Sequence, residues 1–173
     1  MEALKVAIAD DNENMLKVLG QVIGQEQDLS VVGTATNGED TFHIIKEKEP
    51  DVVLLDIIMP QIDGLTVMEK VHKDKEIRKT PAFIIISAIG RDSVTEDAFN
   101  MGASYYIMKP FDNDMLINRI RYIRNVHAEN TKAGAAPALE HTVVSDRNLE
   151  KLITETEKEM QAVRDAAKEK DLQ

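Results

Sequence analysis

Residues 47–65 read EKEPDVVLLDIIMPQIDGL, and the fold turns on the four residues VVLL at 52–55. A strand half exposed to water alternates apolar and polar residues, whereas this run is apolar on both faces. That is the mark of a strand inside a parallel sheet with helices on each side. Pro50 ends whatever helix precedes the run, and Asp63-Gly64 opens the next one. The run stops on an aspartate, Asp56.

Working outward, residues 5–9, 31–35, 83–86 and 105–108 are further short β-branched or aromatic runs. The segments between them carry apolar residues at helical spacing: Met15, Val18, Leu19, Val22 and Ile23, then Phe42, Ile44 and Ile45. Asn37-Gly38 starts the second helix and Gly102 closes the fourth. A fifth helix, with Met115, Leu116, Ile120 and Ile123, is expected from about Asp112 to about His127. Five βα units with short connections and right-handed crossovers predict an α/β fold, a doubly wound five-stranded parallel sheet in the order 2-1-3-4-5 with helices on both faces. Ligands of such sheets sit at the carboxyl ends of the strands, where the winding reverses.

Beyond residue 128 the texture changes. Residues 129–147, which include TKAGAAPAL at 131–139, read as a linker, and 148–173 as a charged helical tail. In that tail Leu149, Ile153, Thr156, Met160, Val163 and Ala167 follow the alternating spacing of a coiled-coil seam, which a lone amphipathic helix also satisfies. The 173 residues carry a net charge of −10, which disfavours direct contact with nucleic acid, since that affinity comes from lysine and arginine displacing counterions. With no cysteine, thiolate chemistry and cysteine-held metals are excluded, and any metal must sit on oxygen or imidazole. No apolar run is long enough to span a bilayer and no signal peptide opens the chain, so a cytoplasmic location is expected.

Placed on the strand ends, Asp10 and Asp11 follow strand one, Asp56 strand three, Ser87 strand four and Lys109 strand five. Singly each has a plain reading: helix capping for Asp10 and Asp11 together with Asn12, a turn for Asp56, a satisfied strand-end hydroxyl for Ser87, a solvated loop lysine for Lys109. Together at one edge they form a chemical site. Three carboxylates repel unless a cation holds them, and an oxygen-rich pocket suits Mg2+ or Mn2+, with Ca2+ a further hard cation able to occupy it in a crystal. Asp56 is then the nucleophile of a phosphoryl transfer, Asp11 a direct metal ligand, Asp10 an indirect one, and Lys109 and Ser87 partners of the phosphoryl oxygens.

These residues resemble the receiver domains of bacterial response regulators, flavodoxin-like proteins with an acidic pair, an acceptor aspartate, a serine or threonine and a Lys-Pro at the ends of strands one, three, four and five. VAIADDNENM at 6–15, residues 47–65 and GASYYIMKPFD at 102–112 carry the resemblance, which spans residues 1–128 and is closest to the sporulation regulators of spore-forming Firmicutes, the stage zero sporulation protein A branch. It implies Mg2+ bound by Asp11, Asp56 and the Ile58 backbone carbonyl with Asp10 assisting, a cis Lys109-Pro110 bond, and Ser87 and Tyr106 as paired switch residues. It also implies a phosphohistidine phosphotransferase or histidine kinase as donor, and a homodimer formed on phosphorylation. Without the motif, Tyr106 reads as a half-buried tyrosine with its hydroxyl in water. Such a chain catalyses its own phosphorylation but is consumed by it, and is not a turnover enzyme. Ile58 and Ile89 lie two residues beyond the acceptor and the hydroxyl, where receivers place side chains that flank the phosphoryl group. Being bulky and apolar, they are expected to exclude or fail to orient the attacking water, so that the acyl phosphate is long-lived.

Two features depart from, or compete with, this reading. The residues after 130 lack the basic character and successive helices of a DNA reader, so no DNA-binding domain is expected in this chain. A truncated relative, a fragment, or a receiver whose output is the charged tail each accounts for that. The rivals in function are a haloacid-dehalogenase-type phosphohydrolase, whose acids stand D-x-D after strand one rather than adjacent, and a pseudo-receiver that keeps the fold as an interaction module without phosphorylation.

Overall fold

The computed structural model of the protein describes residues 2–133, with side chains through residue 126. Strands β1 (Leu4–Ala9), β2 (Leu29–Ala35), β3 (Val52–Leu55), β4 (Ala82–Ser87) and β5 (Ala103–Met108) alternate with helices α1 (Glu13–Gly24), α2 (Gly38–Lys48), α3 (Gly64–Lys73), α4 (Asp92–Asn100) and α5 (Asn113–Ala133). The strands form one parallel sheet in the order β2-β1-β3-β4-β5, as the alternation predicts. Four of the strands run one or two residues past the sequence estimate, and β3 matches it.

Every residue of β3 is buried. Ala7, Ala9, Val53, Leu55, Phe83 and Ile85 face one side, in a cluster with Ile45 of α2, Val67, Met68 and Val71 of α3, and Phe99 of α4. By period-two alternation Val6, Ile8, Leu54, Ile84 and Ile86 face the other, where Leu19 and Ile23 of α1 and Leu116, Ile120 and Ile123 of α5 are also buried. Each such side chain contributes about 1.5–3 kcal/mol on burial. Val18 shares the apolar spacing of α1 but remains exposed.

Helix starts are set by side-chain caps: Asn12 accepts from Asn14 N–H at 2.9 Å, Asn37 from Asp40 N–H at 2.8 Å, and Asp63 from Thr66 N–H at 2.7 Å. Left-handed residues reverse the chain after two of the helices, Glu49 at φ 46° after α2 and Gly102 at φ 98° between α4 and β5. Helix α5 continues to Ala133, past the end expected near His127, because no glycine or proline interrupts residues 128–133. The rest of the expected linker, and the charged tail at 148–173, lie outside the described residues. Arg121 of α5 forks onto Asp28, with Nε 3.0 Å from Oδ2 and a terminal nitrogen 2.8 Å from Oδ1, and also reaches Glu26. Arg124 joins Asp28 at 3.4 Å. The hydrogen bond from Arg121 holds the Asp28 carboxyl below its ordinary range, and this cluster fastens α5 to the α1–β2 turn.

Candidate functional site at the carboxyl edge of the sheet

Parallel pairing delivers the chemistry-bearing residues to one edge. Asp10 leaves β1 with its N–H on the Ala35 carbonyl at 3.1 Å, Asp56 leaves β3 with its N–H on Ala9 at 2.9 Å, and Lys109 leaves β5 with its N–H on Ser87 at 3.0 Å. These last hydrogen bonds orient each residue as its strand ends. The Lys109 ammonium then lies 2.6 Å from Asp10 Oδ2 and 3.2 Å from Asp56 Oδ2. Carboxylate oxygens of Asp10, Asp11 and Asp56 all lie within 4.8 Å of one another, with Asp10 and Asp56 buried and Asp11 exposed. Asp10 Oδ1 accepts from Asn12 N–H at 2.9 Å, and Asp56 Oδ1 from Ile58 N–H at 3.3 Å.

The electrostatics follow from this crowding. Burial pushes the Asp56 carboxyl above its ordinary value and the charge of Asp10 adds to the push, while Lys109 pulls against both without overcoming them. For Lys109, burial works against the charged form, but the hydrogen bond it donates to Asp10 and the attraction of Asp56 prevail and raise it. Three carboxylates against one ammonium leave two excess negative charges on close-set oxygens. That donor set fits a hard divalent cation, and the exposed Asp11 marks its open side.

Beside this cluster, Ser87 is buried and its Oγ accepts from Ile89 N–H at 3.2 Å. Tyr106 is 1% exposed and donates its hydroxyl to the Ile89 carbonyl. Its hydroxyl is therefore not in water. Burial pushes the Tyr106 hydroxyl up, partly offset by hydrogen bonding with Ser87 and Thr95. The Ile89 peptide is thus held from both sides. The Ile89 side chain is singled out by its position, but the Tyr106 contact to its carbonyl and the part of Thr95 carry no sequence signal, because they depend on the path of the β4–α4 loop. The Lys109-Pro110 bond is cis. Ile58 presents its side chain to solvent at 58% exposure, two residues from the acceptor candidate.

A family model described as the response regulator receiver domain matches residues 6–121. Among solved structures, the chain is similar to the response regulator domain of CheB from Thermotoga maritima, at 27% identity over 72% of this chain and 98% of that one, with a TM-score of 0.65. It is similar to a chain in the CheX-CheY-BeF3-Mg complex from Borrelia burgdorferi, at 30% identity over 71% and 90%, with a TM-score of 0.64. A DNA-binding response regulator of the LuxR family from Staphylococcus aureus matches at 28% identity over 70% and 99%, with a TM-score of 0.65. The matched span runs from the first strand into the fifth helix and takes in every element that carries a residue of the cluster, so the chain belongs to the family of response regulator receiver domains.

Proposed function

We propose that this chain accepts a phosphoryl group on Asp56 from a phosphohistidine phosphotransferase or histidine kinase and thereby passes to a dimerisation-competent state, working in the cytoplasm within the sporulation-regulator branch. The observation that carries the reading is the Lys109 ammonium set against both Asp10 and Asp56 beside a third carboxylate. A structural ion pair needs one acid, whereas a site for an incoming PO3 group needs surplus oxygens for a cation and an ammonium ready to change partners. The Borrelia complex, which contains BeF3 and Mg, lends support by similarity. VAIADDNENM and GASYYIMKPFD favour the sporulation branch.

Mg2+ would be held by Asp11 and Asp56, with Asp10 assisting and the Ile58 carbonyl as a main-chain ligand, and would supply charge neutralisation between the two anions. An Asp56 carboxylate oxygen forms the new bond to phosphorus as the phosphorus–nitrogen bond of the donor breaks. The departing imidazole keeps the electron pair and takes up a proton. Lys109 turns from Asp56 to a phosphoryl oxygen, and the Ser87 hydroxyl donates a hydrogen bond to another. Turning Ser87 toward the phosphoryl group shifts the acceptor of Ile89 N–H, and the β4–α4 loop, which Tyr106 holds through the Ile89 carbonyl, can move with it. The chain is substrate of its own phosphorylation and does not turn over.

The test is intact mass after incubation with acetyl phosphate and Mg2+, followed by sizing. Wild type should gain one phosphoryl group and elute as a dimer, while Asp56→Asn gains nothing. No gain in wild type, or an equal gain in Asp56→Asn, would overturn the assignment. Faster transfer from a sporulation phosphotransferase than from a chemotaxis kinase would bear out the branch.

A further inference from the structure

Helix α2 begins at Gly38, and the loop that carries Asp56 leans on it. Gly38 is buried, its N–H faces the Pro60 carbonyl at 3.5 Å, and a Cβ built on it would stand 2.1 Å from the Ile62 carbonyl oxygen and 2.5 Å from Ile62 Cγ1. Main chain therefore rests on main chain with no room for a methyl group. The far end of the loop is equally close: a Cβ on Gly64 would stand 2.3 Å from the carbonyl oxygen of Asp56 itself, and Gly64 N–H bonds the Ile57 carbonyl at 2.8 Å. Between these points Gln61 is held left-handed at φ 70°, a conformation that is unfavourable for a residue with a side chain. A loop free to relax would shed that strain. Contacts at both ends hold it instead.

What this loop presents is the acceptor. Asp56 opens it, and Ile58 lies within it, its N–H on the Asp56 carboxylate and its carbonyl the main-chain ligand of the proposed cation site. We propose that Gly38 is a positioning residue for this site: by lacking a side chain it lets the N-terminus of α2 brace residues 60–62, and so holds Ile58 and Asp56 in place for a divalent cation. The inference rests on the reading of Asp56 as a metal-assisted acceptor. Gly38 is not needed for its own conformation, since Gly102 is the one glycine among the described residues with a positive φ. Within a helix, alanine is ordinarily more favourable than glycine. The sole obstacle to alanine at position 38 is the loop it would displace.

Calorimetric titration of Mg2+ into the protein without any phosphodonor, alongside thermal melts, tests the brace. Gly20→Ala serves as the control, because a Cβ at Gly20 meets nothing within 4 Å. Gly38→Ala should fold cooperatively yet bind Mg2+ about tenfold more weakly, as for residues that orient metal ligands from behind. Acyl-phosphate yield at low Mg2+ should fall in step, and Gly20→Ala should match wild type. Ile62→Ala keeps the carbonyl but removes the side-chain half of the brace, and should weaken Mg2+ binding by a smaller factor. An unchanged Mg2+ affinity in a folded Gly38→Ala protein overturns the proposal, whatever the melting temperature does. Should Gly38→Ala not fold, Ile62→Ala decides by the same criterion. Wild type that neither binds Mg2+ nor takes a phosphoryl group would defeat the acceptor reading itself, an outcome distinct from a loss or retention confined to the variants.

Discussion

Lys109 bonds Asp10 more closely than it bonds Asp56: its ammonium is 2.6 Å from Asp10 Oδ2, across a sequence separation of 99 residues, against 3.2 Å from Asp56 Oδ2. Both carboxylates are nearly out of water, at 2% and 6% exposure, so the ammonium is their main charge compensation within the fold. Lys109→Ala should destabilise the metal-free protein by about 2 kcal/mol, less than for a fully buried pair because the lysine retains some exposure. Added Mg2+ should narrow that gap by replacing the lost charge, and a chelator should restore it. Melts of both proteins with Mg2+ and with chelator check this. A gap of the same size in both conditions would mean that the two cations do not share a role.

A pH dependence follows from the turn that anchors α5. Arg121 holds the Asp28 carboxyl below its ordinary value of 3.8, so the folded state binds its proton less readily than the unfolded state does. The stabilisation is complete above 3.8 and is lost as pH falls through the lowered value. Asp28→Asn should cost at most about 1 kcal/mol at neutral pH, given the partial exposure of the cluster. That cost should vanish at strongly acidic pH. Urea melts of both proteins across acid pH provide the comparison, and a deficit independent of pH would place the effect elsewhere.

The side chains of Ile58 and Ile89 bear on the lifetime of the phosphorylated state. Ile58 is exposed beside Asp56, and Ile89 is half-buried beyond Ser87. Neither side chain can orient a water for attack on an acyl phosphate. Ile58→Asn and Ile89→Gln each supply a hydrogen-bonding group there, and decay should quicken severalfold, on the scale of one added net hydrogen bond of about 1 kcal/mol. Loss of the phosphoryl mass with time measures it. Unchanged half-lives in both variants would show that water is excluded by something else.

Stability has a separate lever in Glu49. Its left-handed backbone ends α2 at φ 46°, where glycine carries no steric penalty. Glu49→Gly should raise stability by about 0.5–1 kcal/mol, or a few degrees in melting temperature, without altering Mg2+ affinity. Paired thermal and metal titrations separate the two effects.

Patterns of period and punctuation were readable before any coordinates. The apolar VVLL run announces the central strand, and Asn12, Asn37 and Asp63 announce helix starts, because each acts on residues a few positions away. Convergence of Asp10, Asp11, Asp56 and Lys109 was legible for a related reason: once strand ends are known, a parallel sheet places them on one edge. The end of α5 was not legible, since the residues after Val126 carry no apolar stripe to mark where the helix stops. Nor were the Arg121–Asp28 fork, the Tyr106 hydroxyl on Ile89 or the approach of Ile62 to Gly38. Each joins segments distant in sequence through atoms with no local pattern.

The span of 99 residues between Asp10 and Lys109 orders events in time as well as space. On a ribosome, all three acids have been synthesised before the ammonium that offsets them, and a nascent chain halted before residue 109 has Asp56 without its counter-charge. Under the proposed function, the site is therefore completed only by the residue that follows β5, the last strand among the described residues.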